Sequence, residues 1–359
     1  MGFTYGLAVV LVIFEGIMSN ILQDYIIAFM PAFDDEIFEN YKFGDSFLVF
    51  GNYRKLKIFL DRFSDQVKKI GIYLGEKSDI TSEEIVQDVI KRYAKNLEEL
   101  RITTEVNGGF WEKILDAKNH IIFPEVKKFQ FVGESSRTEL KLNLIFPKLE
   151  SFMLLGDVAD VNCLENVNGL KELTLHTDSI EEDQLDNNFA NNENITKICL
   201  SMANSMETMD SIANHLTNLK TLVVESPGEN FLYRTNNNTV RILSSVTHFH
   251  IIFDEMIELF GIGKLDLSFD MPHLKKLTLD GVQTDDRIIN FIQHFEALEI
   301  LELLLLEYYG VDCIEKLKHI KEFKTDLYGN DFGSVKKMFE HFDEQSELQT
   351  LKLVKFDES

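Results

Sequence analysis

The sequence predicts an α/β leucine-rich-repeat solenoid: a right-handed horseshoe with parallel strands on its concave face and helices or irregular turns on its convex face. Three observations carry that expectation. The pattern L-x-x-L-x-L, seen in MPHLKKLTLDGV as Leu274, Leu277 and Leu279, recurs twelve times in 359 residues. From Val67 to Leu348 the copies span 281 residues in eleven steps, a mean near 25.5, inside the ~20–29 residues typical of such repeats. Between copies lie segments with helical apolar spacing. Each unit is therefore a strand plus a returning segment, and only stacking buries both apolar faces.

Residues 1–60 stand outside the pattern. They are aromatic and acidic, with apolar clusters at Ile26–Phe29 and Phe47–Phe50. Such a block is expected to cap the first repeat, whose apolar end would otherwise face water. The repeat domain then runs over 61–359. Its copies begin with a weak one (Val67, Ile70, Ile72), followed by Leu97, Leu100, Ile102 and by Val126, Phe129, Phe131. The middle copies start at Leu149, Leu170, Ile195, Leu219, Val246 and Leu274. Leu298, Leu301 and Leu303 come next, then a second weak copy (Ile320, Phe323 before a polar Thr325), and Leu348, Leu351 and Leu353 close the series. Thr81-Ser-Glu-Glu84 forms a capping box ahead of Ile85, Val89 and Tyr93. Thr284-Asp-Asp opens a second stripe through Ile288, Phe291, Ile292 and Phe295, and Ser334 opens a third. The steps vary from 21 to 30 residues, so the convex segments are expected to be irregular. Glu105, Glu134, Asp157, Asp178 and Val282 stand where the repeat consensus has Asn. Past the last strand little chain remains before Ser359, so the final repeat is expected to be capped by its own polar residues or by a partner.

A net charge of −24 opposes binding to nucleic acid and to anionic membrane, both of which need Lys and Arg to displace counterions. Three cysteines, Cys163, Cys199 and Cys313, have neither disulfide-framework nor zinc-finger spacing and read as buried thiols in a reducing compartment. The apolar run Leu7–Phe14 is too short to span a bilayer, and no basic residue precedes Lys42. It is expected to be a buried element of a cytoplasmic chain. The alternative is a signal peptide within residues 1–19, which would make the chain a secreted or luminal recognition protein.

Strand alternation sorts the remaining positions. The three x positions of each copy face the concave side or its edge. They hold thirteen basic and seven acidic residues, a positive surplus inside an acidic chain. Such a face would suit an acidic protein segment. Lys128, Lys171, Lys197 and Lys276 are its candidate basic contacts. Gln130, Met153, Thr174, Cys199, Val223, His250 and Thr278 form a central column of small or weakly polar residues, with His248 beside it. These twelve residues are the candidate protein-binding site. No nucleotide loop, HExxH or GxSxG motif occurs. His248 and His250 share a strand face, but the sequence offers them no nearby third ligand. Paired acids such as Asp285-Asp286 sit at helix starts, where they complement the dipole. Trp111, in GGFW, reads as a packing anchor. The chain is thus expected to be non-catalytic, with no cofactor and no metal.

Two stretches point to a family. LKIFLDRFSDQVKKIGI (Leu56–Ile72), followed by IVQDVIKRYAKNLEELRI (Ile85–Ile102), resembles the linker and early repeats of insect F-box/leucine-rich-repeat proteins. Phe59, Leu60 and Phe63 match the first phrase, and Tyr93, Lys95, Leu97 and Leu100 match the second. FPKLESF (Phe146–Phe152) is similar to the family's recurrent entry into a strand. The resemblance implies a substrate-recognition subunit of a cullin-type ubiquitin ligase, with a protein substrate on the concave face and a Skp-type linker at the front block. MPAFDDEIFENY (Met30–Tyr41) is the nearest match to the F-box opening and is two residues out of register, which reads as a degenerate or missing F-box.

Overall fold

The computed structural model describes residues 48–49, 68–74, 91, 94–104, 122–133, 142–156, 164, 166–176, 182–201, 206–227, 232, 240–253, 267–281, 283–284, 286–304, 307–308, 319–326 and 347–354. The Thr81 capping box, the Trp111 turn, the Ser334 helix, Met30–Tyr41, the Asn-register positions, Cys163 and Cys313 lie outside them. The chain divides into two compact units, Met1–Thr138 with Leu144–Leu149, and Glu139–Asn143 with Glu150–Ser359.

Among the described residues the first unit holds four strands in chain order, β1 (Leu48–Val49), β2 (Lys69–Leu74), β3 (Glu99–Thr104) and β4 (Lys128–Gly133). Each pairs in parallel with the next. The register is in step: Leu100 lies beside Ile70 on one side and Phe129 on the other. Leu100, Ile102, Phe129 and Phe131 are buried, while Arg101 and Gln130 point the other way and remain partly open. Phe146 stacks on Phe123 at 5.1 Å and on Phe129 at 4.5 Å.

The second unit repeats the device. Its principal strands are β5 (Ser151–Leu155), β6 (Glu172–His176), β7 (Lys197–Ser201) and β8 (Thr221–Glu225). After the short β9 (Arg241–Ile242) come β10 (His248–Ile252), the short β11 (Phe269–Asp270) and β12 (Lys276–Asp280). The short β13 (Gln283–Thr284), β14 (Ile300–Leu304), the short β15 (Glu307–Tyr308), β16 (Glu322–Asp326) and β17 (Thr350–Val354) complete it. The order β5-β6-β7-β8-β10-β12-β14-β16-β17 is parallel throughout. The short strands pair among themselves, β9 with β11 and β13 with β15.

All twelve sequence copies are strands of this kind, the two weak ones included as β2 and β16. In β16 the third apolar position is Thr325, fully buried all the same. The chain is a leucine-rich-repeat solenoid. Alternation explains its layers: Leu173, Leu175, Ile198, Leu200, Leu222, Val224, Phe249, Ile251, Leu277 and Leu279 are each at most 1% exposed and form the core face.

One backbone rule repeats at successive steps of the second unit. The carbonyl one residue past the first Leu-type position accepts two amides from the next copy. Thr196 and Lys197 donate to Lys171, Lys220 and Thr221 to Thr196, Thr247 and His248 to Lys220, and Lys275 and Lys276 to Thr247, all at 2.8–3.1 Å. Both carbonyl lone pairs are thus used, and the copies lock in register.

A second rule precedes several of the strands. The first Leu-type amide closes a tight turn on the residue three before it: Leu219 on Leu216, Val246 on Leu243, Leu274 on Met271, Leu298 on Phe295. Those earlier residues are apolar and buried.

Among the described residues three helices of eight or more residues lie in the connecting segments, α1 (Glu182–Asn191), α2 (Met206–His215) and α3 (Asp286–Gln293). α3 begins where Thr284-Asp-Asp places it, and Ile288, Phe291, Ile292 and the following Phe295 are buried. α1 buries Leu185 and Phe189, and α2 buries Met209 and Ile212. Asn192 ends α1: its side chain donates to Asn188 O at 3.0 Å and accepts from Leu170 N at 3.4 Å. Among the described residues no helix is long and apolar enough to cross a membrane.

Candidate functional site

The sheet face opposite the core is assembled by register. In the second unit one row reads Met153, Thr174, Cys199, Val223, His250 and Thr278, then continues through Glu302, Lys324 and Lys352. A second row, one step earlier on each strand, contains Lys197, His248 and Lys276. Lys171 belongs to neither. It sits at the entry turn, where its ammonium pairs with Glu150 at 2.7 Å. Lys128 and Gln130 occupy the corresponding positions on β4 of the first unit. Gln130 Oε1 is enclosed with no hydrogen-bond partner among the described residues.

The structure refines the charge expected of this face, because much of it is spent internally. Lys68 pairs with Glu98 at 3.4 Å and Lys69 with Glu99 at 3.6 Å. Lys321 pairs with Glu299 at 3.2 Å, and Lys352 with Glu322. Glu302 takes both Lys276 at 2.9 Å and Lys324 at 3.9 Å, and also accepts the Thr278 hydroxyl at 3.2 Å. Burial alone would raise the Glu302 carboxyl. Lys276 first, then Lys324 and Thr278, outweigh it and hold the group below its ordinary value. No ion pair joins Lys128, Lys197, Lys220 or Lys275 among the described residues, and these carry the net positive character that remains.

Depth varies along the central row. Thr278 is 5% exposed and Cys199 9%, so both form floor rather than rim. His250 Nε2 is enclosed without a hydrogen-bond partner among the described residues. Burial pushes the His250 imidazole below its ordinary value, against the pull of Glu302 and Glu225. His248 is also lowered, by burial and by Lys276, and its Nδ1 meets the Thr247 hydroxyl at 2.9 Å.

Sequence reasoning missed one cluster on this face. His176, Cys199 and Glu225 come from β6, β7 and β8. Cys199 Sγ lies 3.6 Å from His176 Nε2 and 3.9 Å from Glu225 Oε1. His176 Nδ1 lies 2.9 Å from Glu225 Oε2. Aligning the copies one place past the third Leu-type position would have revealed it: His176 and Glu225 both stand there, in the copies flanking that of Cys199.

Thiol, imidazole and carboxylate here follow the order of a nucleophile, base and orienter. Two facts oppose that chemistry. Burial, then the Glu225 charge, pushes the Cys199 thiol up to about 12, whereas a nucleophilic thiol is lowered. The surrounding amides are committed to the parallel ladder, which leaves no donor pair for an oxyanion among the described residues. A second polar cluster, between α1 and α2, is also structural. Ser211 Oγ and His215 Nε2 both bond Asp186 Oδ1, so the acid, not the imidazole, sits at the centre.

Neither known protein-family patterns nor curated protein sequences match this chain. Solved structures of similar fold do. An internalin (inlF) from Listeria monocytogenes is 12% identical, with 82% of this chain and 83% of that one covered and a TM-score of 0.40. TLR13 in complex with ssRNA13 is 13% identical over 87% of this chain, TM-score 0.43. Toll from the Drosophila Toll–Spatzle complex is 8% identical over 86%, TM-score 0.42. The match covers about half of the TLR13 and Toll chains, 52% and 47%.

Proposed function

We propose that the protein is a non-catalytic recognition scaffold that binds a protein partner on the sheet face opposite its core. The observation that supports this most is the row Met153–Thr174–Cys199–Val223–His250–Thr278, held in register by consecutive parallel strands. Side chains of one row on a rigid ladder keep fixed spacing, so binding them costs little ordering entropy. Lys197 and Lys275, without ion pairs among the described residues, favour an acidic segment. Lys128 and Gln130 offer the same chemistry on the first unit.

The finer reading is a cytoplasmic substrate-recognition subunit of a cullin-type ubiquitin ligase, with the front block docking a Skp-type linker. The motif resemblance in Leu56–Ile72 and Ile85–Ile102 supports it. The apolar run Leu7–Phe14 supports the second reading, a secreted or luminal recognition protein.

Three measurements test these readings. Proximity labelling in the native cell, with the intact chain and with Lys197→Glu/Lys275→Glu, should lose specific labelled proteins in the variant. An unchanged set removes the sheet-face assignment. Retention of a purified Skp-type linker by the folded chain supports the ligase reading, and failure to retain it leaves a scaffold without a ligase. N-terminal sequencing of the mature protein separates the two locations: an intact start in the cytosolic fraction removes the secreted reading.

A further inference from the structure

We propose that His176, Cys199 and Glu225 form a binding site for a divalent transition ion of the zinc class on the open face of the second unit. Among the described residues they are the one group of three His, Cys, Asp or Glu donors close enough to share an ion, with all donor atoms within 4.8 Å of one another.

The geometry fits a tetrahedral ion. Zinc bonds of about 2.3 Å to sulfur and about 2.0–2.1 Å to nitrogen, spread at a tetrahedral angle, separate those donors by about 3.6 Å. Cys199 Sγ and His176 Nε2 stand 3.6 Å apart. Glu225 Oε2 lies 2.9 Å from His176 Nδ1, so the carboxylate and the imidazole are already neighbours. Glu225 Oε1 faces Cys199 Sγ at 3.9 Å and is the third donor. Three protein donors leave a fourth position for water or for a partner's side chain.

Charge and donor type select the ion. A thiolate with an imidazole and a carboxylate suits zinc rather than magnesium or calcium, which take oxygen. Thiolate and carboxylate together neutralise a dication, which a half-buried site requires. On binding, the Cys199 S–H bond breaks, the sulfur–metal bond forms, and the proton leaves to solvent. No electron moves. An independent observation marks the same face: on the strand next to Glu225, His250 has an enclosed, unpartnered Nε2. Buried polar atoms of this kind often signal an absent ion or water. The site does not depend on the protein-recognition reading.

The test is a Co²⁺ titration of the full-length reduced protein, read by absorption, followed by competition with Zn²⁺. We expect one equivalent of Co²⁺ to give thiolate-to-metal charge transfer with intense four-coordinate visible bands, and Zn²⁺ to abolish both. Cys199→Ser should remove the charge transfer, whereas Cys163→Ser and Cys313→Ser should keep it. Glu225→Gln should weaken Zn²⁺ affinity by at least ~10–100-fold, since losing an anionic donor costs no less than losing a supporting partner. Circular dichroism confirms that each variant is folded. Absence of a charge-transfer band in the folded wild type, or its survival in folded Cys199→Ser, overturns the site.

Discussion

His176 Nδ1 and Glu225 Oε2 meet at 2.9 Å, although their strands β6 and β8 are separated by β7. Two inter-strand steps span roughly 9–10 Å, so the contact needs two long side chains and a small residue between them. Ser201 is that residue. It stands opposite Glu225 in the ladder, and its hydroxyl turns down to Leu175 O at 3.5 Å. Ser201→Leu should therefore push the pair apart without touching any donor. The pair is partly exposed, so its loss should cost less than about 1 kcal/mol. Chemical denaturation should show a small shift, while the Co²⁺ signal disappears. An unchanged Co²⁺ signal would mean the bridge does not set the cluster.

Two glycines with left-handed backbone make a controlled pair. Gly281 has φ +76°, and a Cβ there would lie 2.3 Å from Phe253 O. Gly169 has φ +99° with open space around it. Gly169→Ala carries only the conformational penalty, about 1–2 kcal/mol. Gly281→Ala adds a clash with backbone that cannot swing aside, because Phe253 N is tied to Asp280 O at 3.0 Å and Gly281 N to Leu304 O at 3.0 Å. Gly281→Ala should be the more destabilising in urea, and equal midpoints would refute the close-approach argument.

Phe249 and Phe269 pack edge to face, with centroids 5.5 Å apart and planes at 83°. Both are at most 1% exposed. Phe249→Ala should cost about 3–5 kcal/mol through lost burial and the cavity left behind. A double-mutant cycle with Phe269→Leu should return a coupling of about 0.5–1.5 kcal/mol for the ring geometry. Zero coupling would reduce the pair to independent core residues.

The ladder was legible in the sequence because a half-buried strand must alternate. Leu274, Leu277 and Leu279 recur as a pattern whatever fills the gaps, and even the copy ending in Thr325 kept its place. Less legible was the apolar residue three positions before the first Leu-type position of several copies. FPKLESF showed it at Phe146, but elsewhere Leu216, Leu243 and Met271 merge into the connecting segment. α1 was hidden by composition: EDQLDNNFAN carries only Leu185 and Phe189 as an apolar stripe among residues that favour turns. The face rows could be read from register alone, but pairing could not. Lys276 and Glu302 are 26 positions apart, and only the parallel β12–β14 step brings them together. The same holds for His176, Cys199 and Glu225, each an ordinary residue in its own copy.

That Lys276–Glu302 step makes stability depend on pH in a defined direction. Glu302 is held below its ordinary carboxyl value: burial opposes this, but Lys276, Lys324 and Thr278 prevail. A depressed carboxyl contributes stability above the unfolded-state pKa, for which the reference value is 4.5. That contribution is lost as pH falls through the lower folded value, because the native state must then take up a proton it resists. His250 on β10 acts on the same face in the same sense, since its lowered imidazole resists protonation as pH falls below about 6.5. The two contributions therefore separate by pH. Glu302→Gln should lower the urea midpoint at pH 7, by about 1 kcal/mol or less after screening. The gap from wild type should close as pH falls through the lowered folded value, below which Glu302 is protonated in both states. His250→Gln should instead flatten the decline between pH 7 and 5.5. A Glu302→Gln deficit that persists unchanged at pH 3 would show that packing, rather than the lysine clamp, sets the value of that carboxylate.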